Sequence, residues 1–160
     1  MGWDYLPQQI IKGGNIMYYF AYGSNLNLSQ MLDRCQDAIP VTQGLINNYE
    51  LLYRGNKRGI GVATIEPKKG KTVYGAIYEV SEDDVKALDR YEGFPWLYYK
   101  EWIEVETRGR GMVKALVYVM HTDRYSFKAP SKAYFETILT GYEDWALPVE
   151  ILDDSIENIG

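Results

Sequence analysis

The sequence predicts an α+β fold. Three observations carry that expectation: six segments have the composition and alternation of strands, two or three helical segments are scattered among them, and no regular strand–helix–strand alternation links them. At 160 residues the chain fits a single domain with a sizeable core. Its apolar fraction of 46% and charged fraction of 24% are those of an ordinary globular protein.

The elements follow in order. Residues 1–16 fit no period and contain Pro7 and Gly13-Gly14, so they read as an N-terminal extension, disordered or left over from expression. Residues 17–22 form the first strand of a domain expected over 17–153. Asn27 stands three residues before Gln30, a capping pattern that starts a short helix through Arg34. Residues 45–53 and 60–65 read as strands around an Arg54–Gly59 turn, and Lys68-Lys69-Gly70-Lys71 reads as a hairpin turn leading into a strand over 72–80. Gly75 inside that strand marks a bulge or a close backbone approach. Ser81 to Tyr91 is the clearest helix: Ser81 caps it, Asp84 holds the reciprocal position, Val85 and Leu88 face inward, and Gly93 supplies a left-handed stop. Residues 99–107 and 112–120 alternate and are joined by Arg108-Gly109-Arg110-Gly111 as a hairpin. Ser131 opens a last helix through about Thr140, ended by Gly141. From Tyr142 on the chain is acidic, contains Pro148 and shows no clear period, with 154–160 read as an acidic tail.

Composition removes several function classes. The formal net charge is −5 and no basic run interleaves with aromatics, so nucleic acid is not an expected partner. No apolar run approaches the roughly twenty residues of a membrane span, and residues 1–16 lack the pattern of a secretory signal. One cysteine, Cys35, permits no internal disulfide, so a cytoplasmic location is expected. A Cys–His nucleophilic pair would need both Cys35, in a helix, and His121, at a strand end; a lone cysteine is more often a small packed hydrophobe. No Cys/His cluster has zinc spacing, and no cofactor is expected. An enzyme of this composition works with carboxylates, hydroxyls and backbone. Fifteen tyrosines against four phenylalanines fit either a polar cavity walled by rings or a tyrosine-rich core and sheet surface.

Three local signals bear on chemistry. The stretch Tyr22-Gly23-Ser24-Asn25-Leu26 ends a hydrophobic strand on small polar residues just before a helix start. Such a loop offers free backbone N–H groups to an anion, with Gly23 allowing close approach and Ser24 and Asn25 adding donors; the same residues also suit an ordinary strand-to-helix turn. Glu92 is the last residue before the Gly93 stop. There it faces the negative end of the helix dipole, and in a tyrosine-lined pocket it would be poorly hydrated. Both effects favour the protonated form and suit a general base near neutral pH, whereas a Glu92 turned into water would merely cost a few tenths of a kcal/mol. The third signal is tyrosine placement, at Tyr98-Tyr99 after Pro95-Trp96 and at Tyr134; taken alone, these read as ordinary core or surface rings.

Together these stretches resemble the γ-glutamylcyclotransferase family, over roughly Met17 to Ile151. The family's Tyr-Gly-Ser-Asn-Leu is residues 22–26, its Gly-x-Ala-Thr-Ile is Gly61-Val62-Ala63-Thr64-Ile65, and its Leu-Asp-x-x-Glu-Gly is Leu88-Asp89-Arg90-Tyr91-Glu92-Gly93. A family tyrosine opening the next strand falls on Tyr99 or, one register back, on Tyr98. Pro130-Ser131-Lys132-Ala133-Tyr134 and Leu147-Pro148 match two further pieces. The resemblance implies a small mixed β-barrel of about six strands with two to three helices packed outside and a cavity at one mouth. It implies Glu92 as the catalytic residue and Tyr22, Gly23, Ser24, Asn25, Leu26, Tyr99 and Tyr134 as substrate-binding residues. The implied reaction is cofactor-free intramolecular aminolysis of a small γ-glutamyl amine or amino acid, giving 5-oxoproline and a free amine. The alternative is a module on the same fold that binds a carboxylate ligand without turnover; against it, mere anion binding would not place a carboxylate in the pocket.

Overall fold

The computed structural model describes residues 10–11 and 14–157. Its framework is a closed barrel of five strands with helices outside. Strands β1 (Ile10–Ile11) and β2 (Gly14–Asn15) make a separate two-residue ribbon; the expectation of disorder over 1–16 otherwise falls outside the described residues. The barrel begins with β3 (Met17–Ala21), which has four of its five residues buried, as its unbroken apolar run requires of a strand covered on both faces. A 3-10 turn over Ser24–Leu26 leads into α1 (Leu28–Arg34), where the Gln30 N–H donates to Asn27 Oδ1 at 3.1 Å, the expected cap.

Next come β4 (Ile39–Gly55) and β5 (Gly61–Val80), the long antiparallel pair that forms most of the barrel wall. The two strands expected at 60–65 and 72–80 are therefore one, and the expected hairpin turn at 68–71 is not a reversal. Tyr49 pairs with Pro67 and Asn47 with Thr72, so residues 68–71 bulge out opposite Asn48 while β5 keeps its direction. The Gly70 N–H donates to Asn48 Oδ1, and both residues take positive φ, 85° and 66°. Turn-forming composition found its use in a bulge, and six predicted strands become five.

Helix α2 (Glu82–Glu92) carries the predicted capping box: the Asp84 N–H donates to Ser81 Oγ and the Ser81 N–H to Asp84 Oδ2, each at 3.1 Å. Gly93, at φ 66°, ends it, with the Phe94 N–H returning to the Asp89 carbonyl. β6 (Tyr98–Thr107) and β7 (Gly111–Met120) form the predicted hairpin. The barrel order is β3-β5-β4-β6-β7, closed by a parallel contact of Tyr19 on β3 with Leu116 on β7. Two glycines make that closure possible. Gly75 and Gly44 sit opposite each other, and a Cβ on Gly75 would lie 2.2 Å from the Ala21 carbonyl oxygen and 2.5 Å from the Phe20 ring. Gly75 thus serves close approach, and the missing side chains leave room for Phe20 in the barrel interior.

Two helices complete the fold. α3 (Lys132–Asp144) is capped by Ser131 as expected, but it runs through Gly141 and not to a stop there. A Cβ on Gly141 would sit 2.5 Å from Leu26 Cβ and 2.7 Å from the Asn27 nitrogen. Gly141 is the point where α3 meets the 24–27 corner. The same helix end binds that corner elsewhere: the Leu28 N–H donates to Asp144 Oδ2, Asn27 Nδ2 to the Thr137 carbonyl, and Trp145 Nε1 to the Leu26 carbonyl. α4 (Glu150–Glu157) occupies a region that reads as aperiodic and partly as acidic tail. Its inward face, with Leu152 and Ser155 buried and Ile151 and Ile156 half-buried, is a helical spacing visible in the sequence once Pro148 is taken as a boundary. Among the described residues no helix is long and apolar enough to cross a membrane.

Replacing a mid-helix glycine by alanine normally gains about 1 kcal/mol of helix propensity. For Gly141→Ala the backbone of residues 26–27 stands in the way, so the expected outcome is a net loss of about 1–3 kcal/mol in urea unfolding.

Candidate functional site

The barrel mouth holds a cavity of about 200 Å³. One wall is the corner after β3. Ser24 and Asn25 are buried at 7% and 3% exposure, a state small polar side chains tolerate only with partners. The Leu26 and Asn27 N–H groups are spent on the carbonyls of Gly23 and Ser24, which closes the 3-10 turn. The amides ahead of them begin the turn and have no acceptor within it. A Cβ on Gly23 would come within 3.1 Å of Ala63 Cβ and 3.8 Å of the Tyr134 hydroxyl, so glycine keeps this backbone against the cavity. Leu26 itself is fully buried under Gly141 and anchors the corner outside the cavity lining.

Asn25 is the junction of the site. Its Nδ2 donates to the Tyr19 hydroxyl at 3.0 Å and to Glu92 Oε2 at 3.4 Å, while its Oδ1 accepts from Arg34 Nη1 at 2.5 Å. The Tyr78 hydroxyl donates to its carbonyl at 2.9 Å. Glu92 therefore turns inward from the end of α2 to meet the corner. The residue as a whole is only partly buried, but its carboxyl is enclosed, and this desolvation raises its pKa from 4.5 to about 7 against the lowering effect of Arg34.

Tyrosines supply the rest of the wall. Tyr22, 6% exposed, donates its hydroxyl proton to the Tyr118 carbonyl at 2.6 Å. The Tyr118 hydroxyl donates in turn to Asp89 Oδ1, which Lys100 also engages. At Ala63 two hydroxyls meet the backbone of one residue: Tyr98 donates to its carbonyl at 2.5 Å, and Tyr134 accepts from its N–H at 3.0 Å. Ser24 Oγ lies 3.2 Å from the Tyr91 hydroxyl. Burial raises the pKa of Tyr19, Tyr22, Tyr98, Tyr118 and Tyr134, so these hydroxyls stay protonated near neutral pH. Val62 and Leu97 add apolar surface, and Asn56 closes the outer edge.

The structure thus brings Tyr22, Gly23, Ser24, Asn25, Glu92 and Tyr134 together around one cavity. Tyr99 and Leu26 lie outside its lining. The Tyr99 ring packs instead against His121, with centroids 5.0 Å apart, and Tyr98 points inward. Strand alternation explains the exchange, since neighbours on β6 face opposite sides and the register decides which tyrosine enters. Sequence reasoning missed Tyr19, Tyr91, Tyr118 and Arg34. Only strand and helix phases seen in three dimensions could have placed them. Cys35 and His121 have separate partners: the thiol donates to the Asp84 carbonyl at 3.7 Å and burial pushes it up to about 12, while His121 Nε2 lies 2.8 Å from the Pro95 carbonyl. Among the described residues no group of three or more His, Cys, Asp or Glu side chains is arranged to hold a metal.

Comparison with known proteins bears on the family and the fold. The family model described as "Gamma-glutamyl cyclotransferase, AIG2-like" matches residues 19–146. The chain is similar to the γ-glutamylcyclotransferase of Mus musculus, 29% identical over 145 residues covering 86% of this chain and 76% of that protein. It is also similar to that of Bos taurus, 28% identical over 147 residues covering 87% and 77%. Among solved structures, one described as γ-glutamyl cyclotransferase superimposes with a TM-score of 0.79 at 24% identity, over 87% of this chain and 85% of that one. That likeness concerns the fold.

A carboxyl whose folded pKa lies above its unfolded value binds its proton more tightly in the folded state. It therefore leaves stability intact below about pH 4.5 and erodes it as pH rises towards 7. Glu92→Gln, which cannot ionise, is expected to be more stable than the wild type by about 2 kcal/mol at pH 8 and to lose that advantage at pH 4.5, read by denaturant unfolding at the two pH values.

Proposed function

The chain belongs to the γ-glutamyl cyclotransferase, AIG2-like family, and from that premise we propose that it converts a γ-glutamyl amine or γ-glutamyl amino acid to 5-oxoproline and a free amine, with Glu92 as proton carrier. The family match and the γ-glutamylcyclotransferase names of its relatives support a cyclotransferase of this type. The observation that carries the finer reading is an enclosed carboxyl, titrating near 7, opposite a corner of backbone donors in a cavity walled by neutral hydroxyls.

The chemistry asks little of a protein beyond placement. The substrate's α-amine attacks its own γ-carbonyl, a C–N bond forms to close a five-membered ring, and the C–N bond to the leaving group breaks. Nucleophile and electrophile share one molecule, so correct folding of the bound substrate supplies much of the rate. The α-ammonium must lose a proton to become nucleophilic, and Glu92 accepts it. The departing nitrogen must gain one, and the protonated Glu92 returns it. The ring nitrogen, which still carries two protons after the attack, then passes one through the carboxylate to the released amine, which departs as its ammonium form and leaves Glu92 as it began. The amides at Ser24 and Asn25 suit the α-carboxylate, which would set the α-amine towards Glu92.

The hydroxyl protons separate the tyrosines by role. Tyr22 and Tyr98 already donate to backbone carbonyls, so they act as wall and support. Tyr134 accepts a hydrogen bond from Ala63 and keeps its own proton, which makes it the better donor to the oxygen that gains charge during ring closure.

Incubation with a panel of γ-glutamyl compounds, with 5-oxoproline followed by mass spectrometry, tests the reading. Turnover of at least one compound is expected, with a rate that climbs as pH passes through about 7 because the base must be ionised. Glu92→Gln should keep the fold and abolish release; full activity in that variant removes Glu92 from the mechanism. Stoichiometric binding heat without 5-oxoproline would favour a non-catalytic binding module instead. In a second comparison Tyr134→Phe should lower kcat by about a hundredfold, whereas Tyr99→Phe should leave it within about twofold.

A further inference from the structure

We propose that Arg34 is a positioning residue for Glu92: its guanidinium fixes which end of the Asn25 amide faces the carboxylate. The inference rests on the reading of Glu92 as the proton carrier.

The two ends of an asparagine amide are nearly equal in shape and opposite in hydrogen-bonding sense. With Nδ2 towards Glu92, the amide donates to the carboxylate. Flipped, it would set an acceptor oxygen against another acceptor. Arginine has donors only, so Arg34 Nη1 at 2.5 Å demands Oδ1 on its side and leaves Nδ2 for Glu92 and Tyr19. Arg34 is itself held. Its Nη2 donates to Gln30 Oε1 at 2.8 Å, and its guanidinium lies over the Tyr91 ring, 3.5 Å from the centroid. Tyr91 in turn precedes Glu92 in α2 and reaches Ser24, so one cation ties α1, α2 and the corner together.

Arg34 is also the charge that favours the ionised form of Glu92. The other titratable groups facing that carboxyl are Tyr19 and Tyr22 from the β3 end, Tyr98 from β6, Tyr118 from β7 and Tyr134 from α3, all kept neutral by burial. Asp89, one turn back on α2, is engaged by Lys100 and the Tyr118 hydroxyl. A positive charge one amide away from Glu92 thus acts on it in two ways, by setting a donor and by its field.

Two variants of the full chain, one without the charge and one keeping it, test these effects. The readouts are the pH dependence of kcat and KM for 5-oxoproline release, and the titration midpoint of the Glu92 carboxyl by carbon-13 NMR. Arg34→Gln should lower kcat by about tenfold with KM nearly unchanged, and raise the Glu92 midpoint by about one pH unit. Arg34→Lys keeps the charge and a head group with donors only, so the midpoint and most of kcat should stay near the wild-type values. Arg34→Gln with kcat and midpoint both at wild-type values overturns the proposal, and so does a loss of kcat with the midpoint unmoved, which a purely structural role would give. Should Arg34→Gln fail to fold, Arg34→Met, which removes charge and donors but keeps an unbranched stem, takes its place: reduced kcat with a raised midpoint supports the proposal, and an unmoved midpoint overturns it. If the wild type itself releases no 5-oxoproline, the proton-carrier reading fails, while the NMR midpoints still report whether Arg34 acts on Glu92.

Discussion

The site depends on one buried amide. Asn25 sits where β3 gives way to the 3-10 turn, and its side chain is shared among Arg34, Tyr19 and Glu92. A buried amide of this kind is costly unless each of its ends is used, and here each is. Because its donors and acceptor are committed, three elements have a fixed relative position: β3, the α1 helix after it and the end of α2, far along the chain. The carboxylate that would otherwise point into water from a helix C-terminus is drawn inward. Its proton affinity follows from that confinement.

The barrel exists to hold this corner still. Gly44 and Gly75 let Phe20 fill the interior, which seats β3 against the long β4–β5 pair. Gly141 lets α3 lie directly on Leu26 and Asn27, and Asp144 and Trp145 bind the same short segment from the helix end. The result is a rigid floor below a mouth whose walls are rings. Tyrosine suits those walls because each ring excludes water while its hydroxyl remains a hydrogen-bonding group, uncharged at the pH where Glu92 titrates.

Much of this was legible beforehand, and the parts that were not have physical reasons. Short-range chemistry wrote itself plainly: the Ser81–Asp84 capping box, the Gly93 stop and the Asn27 cap each involve residues within a few positions. The 22–25 corner and Glu92 were visible because small polar residues after a hydrophobic strand, and an acid at the wrong end of a helix, both break local preference. Misreadings arose where one composition serves two geometries. Lys68–Lys71 has turn chemistry but opposes Asn48 as a bulge, and Gly141 has the look of a stop but serves the close contact of α3 with the 24–27 corner. Tyr99 against Tyr98 turned on a one-residue phase that propensity does not encode, since either tyrosine suits a strand. Arg34 was invisible for a simpler reason. An arginine in the last turn of a helix already satisfies the helix dipole, and nothing local asks more of it.

The paired hydroxyls on Ala63 carry a consequence for the molecule in solution. The first half of β5 bonds to β4 on one side, while β3 pairs only with its second half, over residues 76–80. Ala63 lies beyond the β3 ladder, and unpaired peptide groups on a strand edge can recruit a strand from another molecule. Tyr134 and Tyr98 answer the Ala63 amide and carbonyl, respectively, as a neighbouring chain would, yet as two separate side chains they form no continuous ladder. Both polar groups of Ala63 are thus satisfied beside the cavity with no strand laid across its mouth.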